Sequence, residues 1–509
     1  MKNPIADRIG QRATTSLEYN LSVLREKLRA SLNTDIVTRR FEVSGFTCAM
    51  LFFDGMVNAD VINQFVLQPV LNAEPFDGDP AGRIFWMTNT VLSVSSLCTA
   101  EELDDAIDAV LVGDLALLVD GCDTMILIDV KGFQKRSVEK PVNETVIVGP
   151  HEAFVENLKV NMTMLRRIIR SPRLISEQVK VGNGIVTNCA IAYLDGVVNE
   201  QILGELRRRI QNVNLDIVIS AGELEQLIED APFSLLPQVI QTERPDRAAS
   251  FIISGMAIVM VEGSPLVFGM PATLMQLLQT PDLISMRFPY GVFKRMIIII
   301  GVFVASLLPA LYLSIAQFHN DMLPLAIMTS IYETESKIAI PLVYELIFLG
   351  IGFDLILEAG SRMPGVLASG LGAISALVIG QAVVAAELVS PLMIVIVAIA
   401  GLGTLILPEY SMSIAIRIFQ MLMLFVAAVG GLFGVFLAIL LLSLELVTTT
   451  SLGVPIMWSY APERMHNPDN LTRYPLWQQR IRAYFSNPAQ LFRARGRIRA
   501  WEQEDNSEQ

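Results

Sequence analysis

From Lys337 to Glu463 this chain has no further lysine, and its charged side chains are only Glu345, Asp354, Glu358, Arg362, Glu387, Glu409, Arg417, Glu445 and Glu463. A water-soluble stretch of that length carries roughly a quarter charged residues. Hydrocarbon is the solvent that accounts for the depletion. The chain is therefore expected to be a duplicated α+β soluble N-terminal region followed by an all-α polytopic membrane domain. At 509 residues it exceeds what one core organises, so several domains are expected.

The first span follows Lys294 and Arg295 and runs from Met296 to Phe318, 23 residues, enough to cross a core of about 30 Å. Pro309 near its middle predicts a kink, and the basic pair holds its start on the inside. The stretch Met322 to Ile340 is half a span, interrupted by Glu333, Glu335 and Lys337. A broken helix, a re-entrant segment and an interfacial helix all fit it. The helix after Pro341 carries Glu345, Asp354 and Glu358, and a charge at membrane depth costs about 2.5–3.5 kcal/mol. Asp354 and Glu358 share a helix face; Glu345 points elsewhere. Either this face contacts water or ions, or the helix lies at the interface.

Beyond Arg362 comes a stripe of small residues, Ala368, Gly372, Ala376 and Gly380, spaced by four. Such a stripe lets helices approach closely in lipid, within one subunit or between copies around a pore. Gln381 and Glu387 are the polar marks at its far end. A further span starts at Pro391. Ile414 to Val447, 34 residues, is too long for one straight crossing; it reads as an amphipathic lead-in holding Arg417, then a span containing Gly430, Gly431 and Gly434. The arginine-rich tail belongs on the inside by the positive-inside rule. With both ends inside, the crossings number four or six.

The soluble region reads as one fold built twice. Cys48-AMLFFDGMVNADVI aligns with Cys189-AIAYLDGVVNEQIL, and Gly113-DLALLVDG with Gly255-MAIVMVEG, at offsets of 141 and 142 residues. Two matches at nearly one offset point to duplication. Runs such as CAMLFF and LALLV have strand length and end at Asp-Gly turn signals. Asn58 and Asn199 are placed as helix N-caps. A helix is expected around HEAFVENLKVNMTMLRRIIR, linking the lobes. The resulting layout is a tail at 1–35, a first lobe at 36–145, a linker helix at 146–172 and a second lobe at 173–288. The membrane domain follows at 289–447 and a basic tail at 448–509.

Little here suggests catalysis or a cofactor. The net charge of −13 excludes an ordinary nucleic-acid binder, which needs a basic face. Cys48, Cys98, Cys122 and Cys189 form no Cys-x-x-Cys pair and read as buried free thiols. His151, His319 and His466 are too scattered for a metal site. Asp120, Asp123 and Asp129 cluster around a hairpin, where a turn is the simpler account than a cation site. The opening residues lack the apolar segment of a signal peptide, so the lobes are expected in the cytosol.

Several motifs, in order, carry a family resemblance: Gly149-PHEAFVENLKVNMTMLRRIIRSPRL, Thr242-ERPD, Glu358-AGSRMP, Gly380-QAVVAA followed by Leu388-VSP, and Ser451-LGVP. From about Phe41 to Ala461 the chain resembles the A subunits of bacterial spore germinant receptors, the GerA family. It departs from the family pattern at Glu335-SKIAIP, at Ile351-GFD and in the acidic end from Trp501 to Gln509. A sporulation-operon paralogue of the family is also compatible with the sequence.

The resemblance implies a multi-pass protein of the inner spore membrane with cytosolic N- and C-termini. It implies homo-oligomers, a permease-like B subunit and a lipoprotein C subunit as partners beside membrane lipid, and a nutrient-gated cation channel as the product. Asp354, Glu358 and Glu387, with Glu345 and Arg362, become candidate cation-contacting or intramembrane polar groups. The helix around Gly372 and Gly380 becomes the candidate pore-lining or packing element. Thr242, Glu243, Arg244, Pro245 and Asp246 become a candidate lobe-contact motif. A non-conducting scaffold subunit and a secondary transporter are the alternatives; the latter calls for inverted repeats in the membrane half.

Overall fold

The computed structural model describes residues 10–76, 78–132, 141, 144, 146, 149–338, 340–362, 380–458, 460, 475–482, 488–493 and 498. The chain divides into two units. The first comprises Met1–Glu229, Gln241–Pro271 and Arg480–Gln509; the second comprises Asp230–Ile240 and Ala272–Gln479.

In the first unit, helix α1 (Leu17–Lys27) is capped by Ser16, whose hydroxyl accepts the Tyr19 N–H. The strands β1 (Ile36–Val43), β2 (Phe46–Phe53), β3 (Leu97–Ala100), β4 (Leu115–Val119) and β5 (Met125–Ile128) form an antiparallel sheet in the order β1-β2-β4-β5-β3. Helix α2 (Leu103–Val112) precedes β4. Every residue of β4 and β5 is buried, because both sheet faces are covered. Alternation along β2 sends Ala49, Leu51 and Phe53 toward α1 and α2, and Cys48 and Met50 toward the opposite core. This is why the strands read as continuous apolar runs.

The second lobe repeats this plan. After helix α3 (Leu158–Ile168) come β6 (Leu174–Val181), β7 (Thr187–Leu194), β8 (Ile240–Thr242), β9 (Ala257–Val261) and β10 (Val267–Met270), ordered β6-β7-β9-β10-β8. Cys48 pairs with Val119 in the first sheet and Cys189 with Val261 in the second, so the duplication extends to strand register. Helices α4 (Glu200–Gln211), α5 (Ala221–Ile228) and α6 (Pro245–Ile253) complete it. Asn58 and Asn199 cap helices through their side chains, each accepting a backbone N–H two residues on.

Two expectations need correction. The linker helix is short: Asn157 caps it, and residues 150–156 before it are not helical. Cys98 is exposed on the edge strand β3, while Cys48, Cys122 and Cys189 are buried. Burial alone pushes the Cys189 thiol up to about 12 and is the main cause of the same rise at Cys48, so neither is a ready nucleophile.

The second unit is helical: α7 (Phe288–Phe318), α8 (Leu325–Glu335), α9 (Leu342–Arg362), α10 (Pro391–Leu405) and the run α11 (Tyr410–Thr448). By length and composition α7 and α11 are long and apolar enough to cross a membrane. At 11 residues α8 is about 16 Å long, too short for a crossing. Pro309 lies buried within α7. Where α7 meets α10 the backbones nearly touch: a Cβ on Gly403 would sit 2.6 Å from the Gly301 carbonyl oxygen.

The run α11 is not a lead-in followed by one span. Gly431 leaves the helical region at φ 56° and ψ −143°, and the chain doubles back there. Leu446 packs with Met412 and Ile416, and Val435 and Ala438 with Leu424 and Ala427. In a straight helix Ile416 and Leu446 would stand about 45 Å apart. Gly431 marks a turn between antiparallel legs rather than the interior of a span, since φ > 0 is open to glycine without strain.

Candidate functional site

The polar groups of the helical unit are distributed unevenly. Glu345, 1% exposed, accepts the Ser390 N–H at 3.0 Å, while the Ser390 hydroxyl caps α10. Asp354 faces Arg417 across α9 and α11 at 3.7 Å. The small void beside that pair is lined also by Thr404 and Gln420, and Arg417 Nε lies buried there without a hydrogen bond among the described residues. Asp354 and Glu358 therefore part company: Asp354 meets Arg417, and Glu358 is exposed a turn further along α9. Glu387 is exposed in a left-handed backbone conformation at φ 55°.

Of the small-residue stripe, Ala368, Gly372 and Ala376 lie outside the described residues. A Cβ added to Gly380 would meet nothing within 4 Å, and Gln381 beside it is exposed. In a single copy of the chain this end of the stripe has no packed neighbour among the described residues. The Arg362 backbone ends α9.

Charged groups also converge at the foot of α11, beside the Ser451-LGVP motif. Glu445 accepts from the Ser234 hydroxyl at 3.0 Å and the Leu235 N–H at 3.1 Å. Asp230 accepts the Thr450 hydroxyl and, at 2.9 Å, the Gly453 N–H. Ser451, fully buried, donates to the Gln238 carbonyl at 2.6 Å and accepts the Ala272 N–H at 3.0 Å. The segment Asp230–Ile240 leaves the second lobe's sequence between α5 and β8 and is gripped by the end of α11 and the Ser451-LGVP turn. The motif was visible; its partner, more than two hundred residues earlier, was not.

The Thr242–Asp246 motif has a definite structural job. The Thr242 hydroxyl donates to Glu144 at 2.5 Å, the Glu243 N–H donates to the same carboxylate at 3.0 Å, and Arg247 pairs with it. Arg244, 1% exposed, reaches Asp246 at 2.8 Å and the Pro150 carbonyl at 3.0 Å. Pro245 occupies the first turn of α6, where no backbone N–H is needed. The motif thus starts α6 and pins the segment connecting the lobes.

A second clasp joins the lobes themselves. Arg166 on α3 holds Asp35 through Nε at 2.5 Å and Nη2 at 2.8 Å, and also reaches the Asn33 side chain and the Leu174 carbonyl. Its guanidinium lies 4.0 Å over the Phe53 ring. Thr34 N–H bonds the Ser176 carbonyl at 3.1 Å, extending the second sheet with residues from the first lobe.

The acidic hairpin disperses. Asp120 accepts the Leu17 N–H, Asp129 sits 3.5 Å from Lys131, and no group of three metal-ligating side chains occurs among the described residues.

Residues 22–485 match the family described as Bacillus/Clostridium GerA spore germination protein. Spore germination protein KA of Bacillus subtilis (strain 168) is 29% identical over 466 residues, covering 91% of this chain and 85% of that protein. Spore germination protein GerLA of Bacillus cereus is 31% identical over 450 residues, covering 88% of this chain and 91% of that one. The uncharacterized membrane protein YfkQ of Bacillus subtilis (strain 168) is 30% identical over 460 residues, covering 90% and 88%. Among solved structures, the N-terminal domain of the A subunit of the Bacillus megaterium spore germinant receptor GerK3 aligns at a TM-score of 0.42 and 26% identity, covering 52% of this chain and 99% of that one.

Proposed function

The chain belongs to the GerA family of spore germination proteins, and from that premise we propose that it is a membrane subunit of a germinant receptor whose copies assemble into a nutrient-gated cation channel. Its place is the inner spore membrane, beside a permease-like B subunit and a lipoprotein C subunit. The lobes serve as the platform for assembly and relay. The helical unit conducts.

One observation carries the conducting reading. In a unit whose surface is rich in apolar side chains, a Cβ on Gly380 would meet no described neighbour, and Gln381 and Glu387 are exposed. Lipid is a poor neighbour for a carboxylate and an amide, whereas a second copy or a water-filled axis satisfies both. The tail supports an even number of crossings, because residues 480–482 and 488–493 pack with the second lobe, which suits an end on the lobes' side of the membrane.

The scaffold reading has its own support: Asp354 is already neutralised by Arg417, leaving fewer carboxylates for ions. Reconstitution into liposomes loaded with a cation-sensitive dye, with and without the partner subunits and nutrient, separates the two. Nutrient-dependent flux abolished by Glu387→Gln or Gly380→Leu supports the channel. Correctly assembled complexes that carry no flux under any nutrient leave the scaffold.

A further inference from the structure

The two Asp-Gly turns of the duplicated lobes are closed by different parts of the chain. In the first lobe Asp54 pairs with Lys159 of α3 at 2.7 Å. In the second, the turn at Asp195 and Gly196 is closed by Arg173 and by the C-terminal tail. Arg173 donates through Nε to the Asp195 carbonyl at 2.8 Å and through Nη1 to the Gln490 side chain at 3.4 Å. The Ala489 N–H bonds the Val197 carbonyl at 3.0 Å. The tail itself folds as a small antiparallel ladder, Arg482 N–H to Leu491 carbonyl at 2.7 Å and Arg493 N–H to Arg480 carbonyl at 2.8 Å.

Arg482 is the centre of this strap. It is 6% exposed and, among the described residues, bonds main-chain carbonyls, those of Ile253 at 2.8 Å, Gln490 at 3.4 Å and Phe492 at 3.0 Å. Its guanidinium has no carboxylate partner among the described residues. Gln490 bridges it to Arg173, and Arg493 follows Phe492 directly. Asp195, whose carbonyl Arg173 bonds, has its carboxylate paired with Arg29 at 3.0 Å. Between Pro475 and Ala500 the sequence holds Arg480, Arg482, Arg493, Arg495, Arg497 and Arg499 and no acidic residue. Burial, with the charges of Arg493 and Arg173, lowers the Arg482 pKa to about 10. In a chain of net charge −13, a buried guanidinium beside two others, with no carboxylate partner among the described residues, is a locally positive site.

We propose that Arg173, Arg482 and Arg493 form a binding site for a phosphate-bearing anion at the junction of the C-terminal strap and the second lobe. Guanidinium groups suit this ligand because their planar donors match phosphate oxygens in pairs. The anion supplies a countercharge and locks the strap onto the lobe. Either an anionic phospholipid headgroup or free phosphate offers this chemistry; a basic segment following the membrane helices is suited to the former.

The test uses the full-length protein in nonionic detergent, titrated with inorganic phosphate, with dihexanoyl-phosphatidylglycerol and with dihexanoylglycerol, which lacks phosphate. Saturable binding to either phosphate compound, weakening as salt rises and absent for dihexanoylglycerol, is expected. Binding of the phospholipid alone identifies a headgroup as the source; equal affinity for both identifies phosphate itself. Arg482→Gln and Arg493→Gln are each expected to weaken binding at least tenfold. Arg493 is exposed and contributes its backbone to the strap, so Arg493→Gln leaves the fold intact. No binding of either phosphate compound, or unchanged affinity in both variants, overturns the proposal.

Discussion

Replacing Arg166 with methionine removes the clasp between the lobes while keeping an unbranched side chain of similar length. The lost contacts are two bonds to Asp35, at 2.5 and 2.8 Å, one to Asn33 at 3.1 Å, one to the Leu174 carbonyl at 3.3 Å and the stacking over Phe53. The Arg166 side chain is 3% exposed and that of Asp35 12%, so the variant strands a carboxylate away from water. Removing one member of a buried pair costs about 3–5 kcal/mol. With Asp35 slightly exposed, the low end applies: about 3 kcal/mol, or roughly a hundredfold in the opening equilibrium of the lobes. Amide hydrogen exchange on the full-length protein reads this at Thr34 and Ser176, whose N–H groups bond across the lobe junction. Protection at both is expected to fall about a hundredfold. A double variant, Arg166→Met with Asp35→Leu, removes the stranded charge and is expected to regain most of the loss. Unchanged protection in Arg166→Met refutes the clasp, and an equal loss in the double variant refutes its electrostatic origin.

Further outcomes follow from the geometry. Burial raises Glu225 from 4.5 to about 7, so the folded lobe keeps a proton that the unfolded chain releases. That stabilisation, about 3 kcal/mol, is complete below the ordinary carboxylate range and lost as pH rises through 7; Glu225→Gln should flatten the pH dependence of exchange in α5. Gly403→Leu forces α7 and α10 apart, with an overpacking cost of about 1–3 kcal/mol seen as a lower thermal midpoint in detergent. Gly380→Leu should leave that midpoint unmoved and change only assembly or flux. Glu445→Ala leaves the Ser234 hydroxyl and Leu235 N–H without their acceptor, about 1–3 kcal/mol each. Protease cleavage within Asp230–Ile240 should then accelerate, and nutrient response should fall even where the protein still reaches the membrane.

How far the sequence could be read depended on range. The lobes were legible because strand period, Asp-Gly turns and the Cys48 and Cys189 repeats are local, and the shared register followed from the offset. The edge position of Cys98 was not legible, since an apolar neighbourhood in sequence does not say which strand lies outermost. Thr242–Asp246 stood out as a motif, yet its partner Glu144 did not, because the pairing is set by tertiary approach. The same holds for Glu445 and Ser234, and for Arg482 with the Ile253 carbonyl. Asp354 and Glu358 looked equivalent by helix spacing; the position of Arg417 distinguishes them. The reversal at Gly431 was hidden for a different reason. In a soluble protein a turn announces itself with polar residues, but Gly430 and Gly431 stand in an apolar run that carries no such mark.

That reversal has an arithmetic consequence for topology. A polypeptide that doubles back at Gly431 brings Thr448 to the level from which Tyr410 set out, as the meeting of Leu446 with Met412 requires. Entry and exit of this pair of legs therefore cancel, however deep the legs go. On the membrane reading proposed above, this pair of legs leaves the side on which the chain ends unchanged, so a reporter group at Glu409 is expected to give the same answer as one at the C-terminus.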